Sequence, residues 1–324
     1  MRYFAGVDGG GSKTYSLVVD EAGNVLGSGL AGCGNHQIIG AEAAVTNIRE
    51  SLHEALRQAD LKEEKLSFVQ FGLAGADRPF DMNRLQPEIS RQMNLQQTDI
   101  VCDTMEGLRV GSPTNTGVVL VCGSNTNAAG RNEKGQTVQV GGFNDLFGDR
   151  AGGYHLAFQA FSRTVRCWDG REPHSILVDK VPAALGFDSM ETMIERCLDD
   201  EIVEAPLQLS YVVHEAAREG DWLSIELLTN MGRELGLAAA AVIHKLGGFS
   251  GHIVPVVLTG SILQSGRNPE LLEALKKEVS ATHASCTFVI PQLVPVFGSV
   301  MLAMDRLGIA VTEQIAEKFT NFGG

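Results

Sequence analysis

At 324 residues and 44% hydrophobic content, the chain is long enough to bury two cores and too apolar to be disordered. Lys and Arg total 26 against 39 Asp and Glu, a net charge of -13 that repels polyanions; with no basic run present, this excludes a nucleic-acid arm. No apolar stretch approaches the roughly 18 residues that span a bilayer, and the opening residues reach Asp8 too soon for a signal segment, so the expectation is a cytoplasmic protein with no membrane partner.

In chain order, the opening reads as a three-strand meander. Tyr3 to Asp8 is followed by a Gly9-Gly10-Gly11 turn, Tyr15 to Asp20 by an Ala22-Gly23-Asn24 turn, and Val25 to Leu30 closes it. Residues 41–59 carry helical apolar spacing in Ala44, Ile48, Leu52, Ala55 and Leu56; Val69 to Gly72 and Ile100 to Asp103 read as buried strands. From Gly117 the meander returns: Val118 to Cys122, a turn at Gly123-Ser124-Asn125-Thr126, Asn127 to Arg131, a turn over 132–135, and Gln136 to Gly141. Two such patterns about 115 residues apart imply two similarly built lobes.

The remainder is mostly helical, with Trp222 to Leu246 the longest such stretch. A strand at Ile253 to Leu258, a helix from Pro269 to Thr282 and a strand at Cys286 to Ile290 follow. The last helices, Val300 to Leu307 and Thr312 to Phe319, are long enough to return to the first lobe. The predicted division is residues 1–112 plus about 300–324 for the first lobe and 113–299 for the second, with hinges at Gly107 to Gly117 and Phe297-Gly298-Ser299.

Six cysteines, at 33, 102, 122, 167, 197 and 286, form no C-x-x-C pair, which disfavours structural zinc and a disulfide framework. Cys102 and Cys122 sit in apolar runs and read as small core residues.

The segment Asp8-Gly9-Gly10-Gly11-Ser12-Lys13-Thr14 fits neither common phosphate loop. A Walker A loop needs Lys directly after its last Gly and a helix next, and a Rossmann loop also opens a helix; here Ser12 intervenes and a strand follows. What remains is a hairpin turn whose backbone N-H groups, with Ser12, Lys13 and Thr14, can surround phosphate oxygens, while Asp8 at the strand end is placed to hold magnesium. An ordinary glycine hairpin is the competing reading. The matching turn Gly123-Ser124-Asn125-Thr126 in the second meander makes a two-loop clamp suited to ATP.

These residues, with Gly34-Asn35-His36, Gly72-Leu73-Ala74-Gly75, Asp103, Gly141-Gly142, Gly148-Asp149 and Leu258-Thr259-Gly260-Ser261, resemble in order and spacing the BadF/BadG/BcrA/BcrD ATPase family, in its N-acetylglucosamine kinase branch. The resemblance implies an α/β fold of two RNase H-like lobes, the actin-like ATPase arrangement, closing over Mg-ATP in a nucleotide cleft between them. It implies that Gly260 and Ser261 contact adenosine, that Asp103 is the catalytic base, and that Asn35 and Asp149 bind sugar hydroxyls. Gly75 and His36 join that acceptor set, with His36 read as a hydrogen-bonding neighbour of Asn35 and not as a base. A helix cap is the rival role for Asp103 and is compatible with the first.

The chain departs from the branch at Ser124-Asn125-Thr126, at Phe143-Asn144-Asp145 and at Arg150, which replaces an acidic residue. Asn125 is expected to keep its turn by tolerating positive φ, and Arg150 to offer a partner to an anionic sugar. The expected activity is ATP-dependent phosphorylation of an amino sugar or close relative, with a homodimer left open. The alternatives are a dehydratase-activating ATPase of the same fold, whose cysteine context is missing, and a silent nucleotide or sugar sensor.

Overall fold

The computed structural model describes residues 1–249, 253–283 and 285–323; Gly324, the end of the expected tail, lies outside the described residues. The chain forms two compact units, Met1–Val119 with Pro291–Gly324, and Leu120–Ile290.

The first unit is built on a sheet of β1 (Tyr3–Gly9), β2 (Thr14–Asp20), β3 (Val25–Ala31), β4 (Leu66–Leu73) and β5 (Thr98–Cys102), in the order β3-β2-β1-β4-β5. The meander strands pair antiparallel, and β4 and β5 add parallel to β1. Central β1 is apolar on both faces because both are covered. Ala5 and Val7 pack with Ile48 and Leu52 of helix Ala41–Gln58 and Leu85 of helix Pro79–Gln92. On the other face, Phe4 and Leu17 pack with Val300, Met304 and Phe319.

Helix Pro79–Gln92 has no counterpart in the sequence reading. Pro79 at its first position pre-sets the helical φ, and Asp81 in the first turn accepts the Arg78 backbone N-H at 3.2 Å.

The returning helix corrects an expectation. It spans Val296–Arg306, four residues earlier than the Val300 start, so Phe297-Gly298-Ser299 is buried helix and not a hinge. The cause is a close approach: a side chain on Gly298 would strike the Glu106 backbone, and one on Gly6 of β1 would lie 2.5 Å from the Val300 nitrogen. Only glycine lets this helix lie against both β1 and helix Asp103–Gly111.

The second sheet contains β6 (Gly117–Cys122), β7 (Thr126–Arg131), β8 (Thr137–Val140), β9 (Val254–Thr259) and β10 (Cys286–Val289). Its order, β10-β9-β6-β7-β8, is the first sheet's order read from the other edge. Again the β7-β8 pair is antiparallel and β9-β10 parallel, so the repeated meander of the sequence does mark a repeated fold. Helices Trp222–Lys245 and Pro269–Thr282 pack closely where bare Gly232 faces Leu271.

Candidate active site

In the first unit the polar residues collect at the carboxyl ends of β1, β4 and β5, where the sheet's apolar side chains stop. Asp8 ends β1 one residue before the turn. Its carboxyl is pushed up to about 6, first by desolvation and then by the charge of Asp103, while a hydrogen bond with Glu106 and the charge of Lys13 act against the shift.

Asp103 is the first residue of helix Asp103–Gly111, directly after β5. The helix N-cap is Cys102, and no side chain caps it, so the rival role of Asp103 as the cap is not used. Desolvation raises the Asp103 carboxyl above the usual range, and Asp77 adds to that; the Cys102 thiol and the Thr104 backbone N-H oppose it. A desolvated carboxylate of this kind is a stronger proton acceptor than one in water.

Three participants escaped the sequence reading. Glu106 lies one helical turn after Asp103 and is buried; its carboxyl is pushed well above the usual range, by desolvation first and Asp8 second. One oxygen accepts from Ser299 Oγ at 2.6 Å, and the carboxyl also hydrogen-bonds with Asp8. Asp77 and Cys102 meet, with the thiol 3.0 Å from Asp77 Oδ1 and 3.1 Å from Asp103 Oδ1. Burial holds that thiol protonated, so Cys102 is a buried residue whose single S-H proton lies between two carboxylates. The i, i+3 spacing of Asp103 and Glu106 was the available signal for Glu106; nothing in the sequence marked Cys102 beyond its adjacency.

The glycine turn holds less than expected. Gly10 N-H donates to the Lys13 carbonyl, and Gly34 N-H to the Gly10 carbonyl, both at 2.9 Å. Gly9, Gly10 and Gly11 do not adopt positive φ; what glycine provides is room, since a side chain on Gly9 would lie 2.6 Å from Leu73. Thr14 departs from its expected place among the phosphate donors. It is fully buried, and its hydroxyl donates to the Gly32 carbonyl at 2.8 Å, leaving Ser12 and Lys13 as the exposed side chains of the turn.

Beside this turn, Asn35 caps helix His36–Ile39 by accepting the Gln37 N-H at 2.8 Å, and Gln37 Nε2 donates to the Gly75 carbonyl at 2.9 Å. Gly75 is at φ +80°, where a side chain would strike Gln37 and Asn35. His36 is buried with Nε2 3.3 Å from Asp81 Oδ1. The Arg78 guanidinium beside Asp81 holds that carboxyl below the usual range, with His36 helping. His36 therefore anchors the Asn35 loop to helix Pro79–Gln92.

In the second unit, Gly123 N-H donates to the Asn125 carbonyl at 2.9 Å. The start of helix Gly153–Trp168 is stitched to the same turn, with Gly153 N-H on the Gly123 carbonyl at 2.8 Å and Tyr154 N-H on the Ser124 carbonyl at 3.0 Å. Asn125 is not at positive φ, contrary to expectation; Asn144 is, at +85°. Thr126 Oγ1 is committed to the Val121 carbonyl at 3.1 Å, while Ser124 remains exposed. Gly260, at φ +87°, lies against Cys122, and Ser261 Oγ is 3.8 Å from where a Gly123 side chain would begin, so the structure brings these two turns together.

Asp149 accepts three backbone N-H groups, from Gly142 at 3.2 Å, Phe143 at 2.7 Å and Asn144 at 2.6 Å, and so clasps its own loop. Asp145 pairs with His155 at 2.9 Å. Arg150 lines a neighbouring cavity, of about 420 Å³, with Gln159, Arg163 and Arg233. Among the described residues, no group of three or more His, Cys, Asp or Glu is arranged to enclose a metal ion.

Two sheets of order 3-2-1-4-5, each with a glycine turn after its first strand, give the two-lobed α/β fold that solved sugar kinases share. The chain belongs to the BadF/BadG/BcrA/BcrD ATPase family, whose pattern matches residues 5–303. It is 25% identical over 307 residues to the N-acetylmuramic acid/N-acetylglucosamine kinase of Clostridium acetobutylicum, covering 94% of this chain and 99% of that one. It is 26% identical to the N-acetyl-D-glucosamine kinase of Dictyostelium discoideum, covering 93% and 98%. A solved Chromobacterium violaceum structure, provisionally assigned as an N-acetylglucosamine kinase, superposes with a TM-score of 0.68 at 23% identity, covering 94% of this chain and 99% of that one.

Proposed function

We propose that the protein is an ATP-dependent kinase that transfers a phosphoryl group to a hydroxyl of an amino sugar. The carrying observation is Asp103, a desolvated carboxylate at the end of β5 with no capping bond to make, in a chain whose curated relatives over nearly their whole length are amino-sugar kinases. In phosphoryl transfer a carboxylate must orient the attacking hydroxyl and take its proton as the new oxygen-phosphorus bond forms. Asp103 fills that role, with the Cys102 thiol fixing one of its oxygens.

The backbone and side chains of Gly10 to Lys13 and of Gly123 to Asn125 cradle the phosphates, and Gly260 and Ser261 stand at the nucleoside end. Asn35 and Gly75 bind the acceptor, with His36 positioning Asn35; Asp149 shapes the acceptor loop and keeps its one remaining lone pair for a sugar hydroxyl. Asp8 is the carboxylate that fits magnesium: it stands at the end of β1 beside the glycine turn, and magnesium is commonly held by one carboxylate plus phosphate oxygens and water. When bound, the ion neutralises charge on the phosphates.

The test is Asp103→Asn, which preserves shape and cannot accept the proton. Circular dichroism should be unchanged and sugar-dependent ADP release should fall about 10²- to 10⁴-fold. Near wild-type turnover would remove Asp103 from the chemistry.

A further inference from the structure

Glu106 is a fully buried carboxyl on helix Asp103–Gly111, one turn after Asp103 and so on the same side of that helix. A buried carboxyl costs folding free energy unless its oxygens find partners, and here three other elements of the first unit build a seat for it. From the returning helix Val296–Arg306, buried Ser299 Oγ donates to Glu106 Oε2 at 2.6 Å. The same hydroxyl lies 3.3 Å from the Val7 carbonyl of β1; it has one proton, and the shorter contact takes it. From β4, Gly72 offers bare backbone, since a side chain there would strike both Glu106 Oε2 and Ser299 Oγ.

From β1 comes Asp8. The hydrogen bond between the two carboxyls favours the ionised form of Asp8 and the protonated form of Glu106, so Glu106 is the donor and Asp8 the acceptor. A carboxylate that holds a metal ion is oriented by the hydrogen bonds its other lone pairs accept. Glu106 supplies such a bond from a place where it has little freedom to move.

We infer that Glu106 is a positioning residue for Asp8: donating from a seat made by Ser299 and Gly72, it fixes the direction in which Asp8 presents its remaining lone pairs to magnesium. This rests on the kinase reading above and goes beyond it by tying the returning helix, through Ser299, to the metal end of the site. Asp103 and the residue that holds Asp8 then stand one turn apart, so a single helix sets both carboxylates that the reaction needs.

The test uses the full chain with ADP as the probe. Calorimetric Kd for ADP is measured with and without magnesium in wild type, Glu106→Gln, Glu106→Leu, Ser299→Ala, Asp8→Ala and the combination of Asp8→Ala with Glu106→Leu. The quantity read is the factor by which magnesium tightens ADP. Glutamine keeps the shape, accepts from Ser299 through its oxygen and donates to Asp8 through its amide, so the factor should stay within about twofold of wild type. Leucine removes the donor, and the factor should fall about tenfold, the low end of what losing a metal ligand's hydrogen-bond partner costs. Ser299→Ala leaves Glu106 in the chain and serves where the leucine variant does not fold; it should lower the factor about threefold, the scale of one hydrogen bond. With Asp8→Ala already present, Glu106→Leu should change the factor no further. A merely structural role would weaken ADP equally with and without magnesium, leave the factor unmoved and overturn the inference, as would a glutamine variant as impaired as the leucine one. If magnesium does not tighten ADP in wild type, the magnesium reading of Asp8 falls, and urea unfolding of the same single and double variants decides the positioning: coupling between the two sites keeps it and additive losses overturn it. Absence of sugar phosphorylation would strike the kinase reading alone, because none of these measurements needs turnover.

Discussion

Asp8, Asp103 and Glu106 are three carboxyl groups that desolvation first, and neighbouring carboxylates second, hold above their ordinary range. For Asp8 the consequence for stability has a definite sign. Its folded value of about 6 lies above the ordinary 3.8, so the folded state binds the proton more tightly. The resulting stabilisation is fully present below the ordinary value and is lost as pH rises through about 6. Thermal unfolding of wild type and Asp8→Asn across this window should show the variant gaining relative to wild type above pH ~6 and the gap closing toward pH ~4. A pH-independent gap would mean that Asp8 does not titrate in this window. The residue scale is also where the sequence was least readable. Lys13 and Ser12 lie exposed in their turn as expected, whereas Thr14 has the same kind of hydroxyl and is turned inward. Direction of a side chain at the end of a strand depends on pleat and partner, and Gly32, which receives that hydroxyl, is far along the chain.

Elements are positioned by a few side chains and by the lack of others. Asp81 ties helix Pro79–Gln92 to the Asn35 loop by accepting from Arg78 and pairing with buried His36. Asp81→Ala should lower unfolding free energy in urea by about 1 to 3 kcal/mol, the cost of leaving a buried polar partner unsatisfied. Unchanged stability would mean that the anchor is not formed. Gly298 and Gly6 set how closely helix Val296–Arg306 lies. Gly298→Ala should cost about 1 to 3 kcal/mol by overpacking, seen as a lower urea midpoint at constant slope. An unaffected midpoint would show that the helix yields freely. The strands of both meanders were legible because glycine and polar turns punctuate period-two and fully apolar runs, and β1, β2 and β3 begin and end within a residue of the reading. The start of helix Val296–Arg306 was not, because Phe297-Gly298-Ser299 looks like a helix breaker in sequence and is a contact surface in space. Helix Pro79–Gln92 was hidden by its two prolines, one at a position that favours a helix start and one, Pro87, inside it.

At the scale of the whole molecule, the repeated strand-turn-strand pattern was the strongest signal available for two similarly built lobes, and both sheets share one strand order. The two glycine turns were visible because each follows the first strand of its sheet. The loop proposed for the acceptor was less so: Asp149 is a single residue whose contacts depend on the fold of a loop, and Arg150 beside it lines another cavity. The central claim is transfer of phosphate to an amino sugar, and it is tested most directly by following both products at once. Protein is incubated with Mg-ATP and either N-acetylglucosamine or glucosamine, ADP is measured enzymatically, and the sugar is examined by phosphorus NMR. The expected result is ADP formed in equal amount with a sugar phosphomonoester, and little ADP without sugar. ADP release that ignores the sugar, or a sugar that gains no phosphorus while ATP is consumed, would contradict it.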